Sequence, residues 1–393
     1  MINLEKNKAI YITFLALLAS TPPLSTDMYL AAIPQIADGW GVGKDLVNLT
    51  LVLWFASFSV FILVAGSLSD KYGRKPVLSG GLAIFVTASF LCAFAQDVNQ
   101  LIIFRILQGM GAAAPSAIVM AIIRDKFEGR ERHQAMAYVM TIVSVAPMVA
   151  PIIGAMLLEF FSWRFIFGAQ GTIVCFTLLI SFSFKETIGE KITTPLSKLI
   201  GRYMVHIKNR EFMFTNISMG LLPLPFYGFI AFSPIYYISI FGLSERTFSL
   251  LFGLNALSSM IGAFFSSRLV KRFSEKRLIT LSIVGTIFAG AGVLLLAREH
   301  YLFFLAFMSL FSFCMGISRP LSGSLIIGLV KTDVGSASSF MVFYQFISGA
   351  ISMAVVTLHW KEPVLFYGAI TLTTSVIVLL LWGRIANRLL PSH

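Results

Sequence analysis

The sequence predicts an all-α integral membrane fold of twelve transmembrane helices in two six-helix halves, and three observations predict it. First, 57% of the 393 residues are hydrophobic and 12% are charged, against about 25% charged in a soluble domain. A soluble chain of this length divides into two or three domains, and too few polar residues are present to cover them; the mean hydropathy of +0.85 suits a surface facing hydrocarbon. Second, twelve runs reach the roughly 20 apolar residues that cross a bilayer. Third, the longest polar stretch, 185–211, falls between the sixth run and the seventh. This composition excludes an ordinary water-soluble enzyme. The formal net charge of +12 would point to nucleic acid on a soluble protein; beside a bilayer it reads as an orientation signal, so no nucleic-acid partner is expected.

The first six runs occupy 9–33, 47–69, 77–95, 100–122, 135–158 and 164–184. The other six occupy 212–240, 247–270, 277–297, 301–328, 336–358 and 363–384. The first follows Glu5-Lys6-Asn7-Lys8 like the core of a signal peptide, but it continues through Asp27 to Pro34 without a cleavage site, so it reads as a retained span. The seventh opens with Pro223, Pro225 and Gly228, which predicts a kinked or unwound helix of the kind tolerated beside a cavity. The expected domains are a six-helix bundle at 1–184, a linker at 185–211 and a second bundle at 212–393. The linker carries Lys191, Lys198, Arg202, Lys208 and Arg210 and reads as an amphipathic or flexible segment on the membrane surface. Cys92, Cys175 and Cys314 lie far apart in apolar runs, as buried thiols outside any disulfide or metal framework.

With the N-terminus inside, about 23 Lys and Arg fall on inside segments and about five outside. Lys6, Lys71 and Lys331 count inside, Lys44 and Lys361 outside. Both termini are therefore expected in the cytoplasm. A faint repeat relates the halves: 66–75 joins spans two and three, and 268–277, also short and basic, joins spans eight and nine. Duplicated halves of this kind are a transporter design, with substrate held between them.

The turn Gly66-Ser-Leu-Ser-Asp70-Lys-Tyr-Gly73-Arg74-Lys75 carries the strongest local signal. Gly73 is free to adopt positive φ, Asp70 can cap a helix, and Arg74 and Lys75 can reach carboxylates or phosphates. The stretch resembles the loop signature of the major facilitator superfamily, matching at Gly66, Leu68, Asp70, Gly73, Arg74 and Lys75. That resemblance implies a cytoplasmic latch, and it implies that Arg74 and Asp125 join Asp70 in one charge network.

Two charged residues stand inside spans of the first half. Arg105, in Leu101-Ile-Ile-Phe-Arg105-Ile-Leu-Gln108-Gly109, should face a cavity or counter-charge, because a guanidinium in lipid costs roughly 2.5–3.5 kcal/mol on insertion scales. The stretch resembles the family's fourth-span signature, which is associated with proton coupling. Asp27 is the one acid well inside a span. By helical rise it sits roughly 10 Å below the outer end of span one, and Arg105 roughly 7 Å below the same face. An acid and a base at one depth could load and release a proton; a static buried ion pair that fixes packing is the alternative. The run Asp27-Met28-Tyr29-Leu30-Ala-Ala-Ile-Pro34 is similar to the first-span signature of the drug:proton antiporter branch, in particular the bicyclomycin/chloramphenicol-resistance exporters, with Ala31 where that branch has proline. The fifth span keeps Ala146, Ala150, Pro151, Gly154 and Ala155 where antiporters often carry more glycines, so close packing is expected around Gly109, Pro151 and Gly154.

Arg319 matches no signature. A charge in span ten is a functional-site candidate by default, and Pro320 is expected to break the helix and turn Arg319 toward the cytoplasmic side, against an anionic substrate group or freed carbonyls. Phe226 and Tyr227 could stack on flat organic molecules, although aromatics also fill helix interfaces. Tyr29, Gln108, Asn255, Tyr344 and Gln345 complete the candidate cavity residues. The sequence holds no P-loop, metal-spaced His/Cys cluster or nucleophile elbow; no cofactor, metal or catalytic set is expected. The expected function is proton-coupled export of small, largely apolar organic compounds by a monomer in the bacterial inner membrane. A dedicated metabolite or siderophore exporter on the same scaffold, and a non-transporting membrane sensor, are the alternatives.

Overall fold

A computed structural model describes residues 8–189, 196–330 and 333–389, with 196–200 as backbone alone. Lys6, Lys191 and Lys331, used above for orientation and linker charge, lie outside the described residues, as does the side chain of Lys198. Span one is built from α1 (Lys8–Ala19), α2 (Thr21–Asp27), a 3-10 turn (Leu30–Ala32) and α3 (Ile33–Trp40), with a bend of 42° after α1. Spans two to six are α4 (Lys44–Tyr72), α5 (Arg74–Ala93), α6 (Val98–Lys126), α7 (Gly129–Phe160) and α8 (Arg164–Ser181). After α9 (Leu196–Lys208), span seven comprises α10 (Arg210–Gly220), α11 (Leu224–Pro234) and a π-helical turn (Ile235–Ile240). The last five are α12 (Glu245–Leu269), α13 (Glu275–Leu296), α14 (Tyr301–Gly328), α15 (Val334–Val356) and α16 (Pro363–Leu389). Among the described residues, eleven stretches are long and apolar enough to cross a bilayer, and counting the bent first span as one makes twelve. The chain is an all-helical multi-pass membrane protein.

Side chains accept the orphan N–H groups at many helix starts. Asp97 caps α6, Asn209 α10, Ser244 α12 and Ser274 α13, each accepting from a backbone N–H two or three residues inside its helix. Glycines decide how closely the helices pack, since a membrane bundle is held by packing more than by exclusion of water. Gly109 lets α6 meet the Trp54 carbonyl of α4. Gly262 and Gly316 place α12 and α14 backbone to backbone, and Gly290 and Gly368 do the same for α13 and α16. At each position a Cβ would overlap backbone atoms of the facing helix.

The chain divides into two compact units between Gly201 and Arg202. The division falls within α9, in the stretch read as a linker, so that stretch is part helix. Arg202 forks onto Asp333, with Nε and Nη2 each 2.6 Å from a carboxylate oxygen. His206 Nε2 lies 2.7 Å from Ser336 Oγ, and Met204, Val205 and Ile207 are exposed. Partial burial raises the pKa of Asp333, but the bonds from Arg202 and Ser336 prevail and hold it below the usual carboxylate range.

Two local expectations meet the structure differently. Span seven does break, over 221–223. Span ten does not: α14 runs unbroken through Pro320 to Gly328. A proline removes one intrahelical donor, and that local loss does not end the helix here; nearby, Ser266 Oγ of α12 supports the last turns before Pro320 by donating to the Ile317 carbonyl at 2.9 Å.

Candidate functional site

The break in span one creates the first site. In a regular helix the Tyr29 N–H would bond the Ser25 carbonyl, but here it bonds Thr26 O at 3.3 Å. The Ser25 carbonyl is left available, and two side chains from other helices take it. Arg105 Nη1 of α6 donates to Ser25 O at 3.2 Å and to Ser25 Oγ at 3.1 Å. Gln170 Nε2 of α8 donates to Ser25 O and to Leu24 O, each at 3.2 Å. Gln108 closes the ring by accepting from Arg105 and donating to Ser89 Oγ at 2.7 Å and Gln170 Oε1 at 3.1 Å. Gly154 of α7 completes the seat, since a side chain there would overlap the Met28 carbonyl.

Arg105 is 0% exposed and has no carboxylate within 4.0 Å among the described residues. Its charge is met by neutral acceptors and aromatic faces. The guanidinium carbon lies 5.0 Å from the Tyr29 ring centroid, 5.6 Å from Trp54 and 5.8 Å from Phe167. A desolvated cation–π contact contributes about 2 kcal/mol or more, so three such faces are enough to offset the roughly 2.5–3.5 kcal/mol insertion cost. Asp27, 5% exposed, accepts from Thr26 Oγ1 at 2.8 Å and does not pair with Arg105. The static ion pair weighed from the sequence is therefore corrected: Arg105 holds the turn that carries Asp27, through Ser25, and leaves the carboxyl group without a cation. Tyr29 gives its hydroxyl to Thr50 at 2.9 Å and its ring to Arg105. Tyr29 and Gln108 are both 0% exposed, spent on supporting Arg105 rather than lining open space.

The loop between α4 and α5 forms a second polar centre. Arg74 reaches Asp70 at 2.6 Å through Nη1 and Asp125 at 2.9 Å through Nε, and Nη1 also donates to Ser69 Oγ at 2.7 Å. Glu186, beyond α8, accepts the N–H groups of Arg74 at 2.8 Å and Lys75 at 3.1 Å. It thereby caps α5, while Lys75 Nζ donates to the Phe182 carbonyl at 2.8 Å. Gly73 has φ 112°, in the range open to glycine, and a side chain there would strike the Glu186 carboxylate. Gly66 lies about two helical turns earlier, its carbonyl accepting from Ser69 Oγ at 2.8 Å. The corresponding turn between α12 and α13 is built otherwise: Ser274 caps α13, and Arg268 and Arg277 lie over Phe264 and Phe273.

In the second unit Arg319 is exposed, and its Nη2 donates to Gln345 Oε1 at 3.4 Å. Tyr344 reaches the Ile217 carbonyl at 3.3 Å, beside the break in span seven. Tyr227 is buried, with its ring over Gly349 and 5.9 Å from Phe346, while Phe226 is half-buried. Asn255 is buried and accepts from Ser312 at 2.7 Å. Tyr236 and Tyr237 are 0% exposed within an aromatic cluster around Phe304, which is the interface role and not a stacking surface.

A family model described as Major Facilitator Superfamily matches residues 15–353. The chain belongs to the major facilitator superfamily. It is a membrane transporter acting on small molecules and not an enzyme. It is 30% identical over 370 residues to the uncharacterized MFS-type transporter YdgK of Bacillus subtilis, covering 92% of each chain. It is 28% identical to the multidrug resistance protein MdtL of Vibrio parahaemolyticus, over 84% of this chain and 83% of the other. Identity to the bicyclomycin resistance protein homolog of Haemophilus influenzae is 26%, over 95% of this chain and 96% of the other. These relatives bear out the resemblance drawn from the first-span run and the 66–75 loop. The crystal structure of a bacterial homologue of the human lysosomal transporter Spinster shares the fold, with a TM-score of 0.76, 97% of each chain covered and 14% identity.

Sequence reasoning missed Ser25, Gln170 and Glu186. Ser25 and Gln170 carry no charge, and nothing in a linear reading marks a carbonyl that a helix break will release. Glu186 follows Lys185 just past the sixth span, and nothing in that position ties it to Arg74.

Proposed function

We propose that this superfamily member exports small, largely apolar organic compounds in exchange for protons by alternating access, as a monomer in the bacterial inner membrane with both termini in the cytoplasm. Asp27 is the proton carrier, Arg105 positions the turn that bears it, and the 66–75 loop with Asp125 is the cytoplasmic latch. The observation that carries this reading is Asp27 itself: a carboxyl group 5% exposed at a broken helix, bonded to a hydroxyl and to no cation. Such a group can gain or lose a proton without breaking an ion pair. Protonation would change the charge on the turn that Arg105 and Gln170 grip, so occupancy of the proton site and geometry of span one are linked. The relatives named for multidrug and bicyclomycin resistance support a drug-like cargo.

Everted membrane vesicles test the reading. With a proton gradient imposed, vesicles holding the wild-type protein should accumulate a transported compound, and vesicles holding Asp27→Asn should not, although substrate exchange at equilibrium persists. Gradient-driven accumulation by Asp27→Asn at the wild-type rate would remove Asp27 from the role.

A further inference from the structure

We propose that the second half of the protein recognises an acidic group on its substrate, with Arg319 as the charge partner and Gln345 beside it, so that the cargo class is an organic anion with a flat apolar body. The inference deepens the export reading above and rests on it.

Arg319 stands eighteen residues into α14 and nine before its end at Gly328, so roughly 13 Å of helix separates it from the nearer end. At that depth an exposed guanidinium requires water or an anion, since lipid supplies neither. Its hydrogen bonding among the described residues is a single long contact of 3.4 Å to Gln345, and no carboxylate lies within 4.0 Å of it there. Two arginines of the first unit differ. Arg105 is enclosed by three rings and three acceptors, and Arg74 is neutralised by two carboxylates. Arg105 and Arg74 are packed; Arg319 is displayed.

The second unit offers Arg319 no counter-ion of its own. Glu211, Glu245, Glu275, Glu299, Asp333 and Glu362 all lie at helix ends or in turns. A guanidinium is a fixed fork of five donors, matched to a carboxylate or another oxyacid in two parallel bonds, and one of those donors is engaged here. What stands nearby sets the body of the ligand. Tyr227 lies within electrostatic reach of Arg319, Phe346 follows Gln345 and packs 5.9 Å from Tyr227, and Phe226 is half-buried beside them. A cation at the edge of an aromatic wall fits a flat organic acid better than a compact inorganic ion.

The test is equilibrium binding of radiolabelled 2-naphthoate and its neutral isostere 2-naphthamide to the full-length protein in phosphatidylcholine vesicles. Wild type should bind the acid roughly ten- to a hundredfold more tightly than the amide. Arg319→Gln should bring that ratio close to one, and Arg319→Lys, a point charge without the fork, should keep part of it; thermal unfolding confirms that each variant is folded. Equal or tighter binding of the amide by wild type would overturn the inference without touching proton-coupled export, and needs no variant. An unchanged ratio in Arg319→Gln, or binding of neither probe by folded protein, would overturn it as well. A preference that collapses when phosphatidylglycerol replaces phosphatidylcholine would assign Arg319 to lipid headgroups and overturn the substrate assignment.

Discussion

At Glu186, four backbone N–H groups converge on one carboxylate: Arg74, Lys75, Thr187 and Ile188 all donate to it. Partial burial raises its pKa, but those bonds prevail and hold it below the ordinary carboxylate range. A depressed carboxyl pKa contributes stability that is present above the unfolded value of about 4.3 and fades as pH falls below it through the folded value. Glu186→Gln should therefore lower the melting temperature at pH 7 and converge on wild type under acid conditions below about pH 4, as a pair of thermal melts across pH will report. A constant difference at all pH values would contradict the charge argument. The rest of the cluster, Arg74 with Asp70 and Asp125, was legible from the loop signature. Glu186 was not, because it lies 112 residues from Arg74 in the chain and nothing local ties the two together.

Among the elements, the broken first span matters most. The sequence read span one as a single retained helix, and its prolines Pro22, Pro23 and Pro34 do not say which carbonyls a break would free or what would claim them. That depends on Arg105, Gln108 and Gln170 arriving from α6 and α8. Arg105→Lys keeps a charge but loses the reach of Nη1 to Ser25 and Gln108 and the flat contact with three rings; transport should fall at least tenfold, beyond what any accompanying loss of melting temperature or expression accounts for. Retained transport would make Arg105 a packing residue alone. Gly154→Ala sets a Cβ against the Met28 carbonyl and should destabilise by about 1–3 kcal/mol. Gly168→Ala on α8, with nothing within 4 Å of the added carbon, should be neutral or stabilising by up to about 1 kcal/mol from helix propensity. Thermal unfolding of the two variants decides whether the seat beneath span one is as tight as described. The corrected expectation for Pro320 belongs at this scale too: a single proline removed a donor, and α14 continued.

For the whole molecule, apolar runs of the right length and one long polar stretch were enough to read the helices and their two sets of six, because hydrocarbon demands satisfied backbones and so permits little else than helices. The linker was harder, since α9 uses its polar face to dock Arg202 on Asp333 and His206 on Ser336, contacts across more than a hundred residues. The charge asymmetry predicts that a C-terminal green fluorescent protein fusion is bright and a C-terminal alkaline phosphatase fusion inactive; the reverse pattern would invert the orientation and with it the latch. Proton coupling turns on one carboxyl group, and it is tested most directly by proton release from purified protein. A transported compound added to detergent-solubilised wild type in weakly buffered solution should release protons, and Asp27→Asn, folded and still binding that compound, should release none. Equal release from both proteins would place the exchanged proton elsewhere and contradict the central claim.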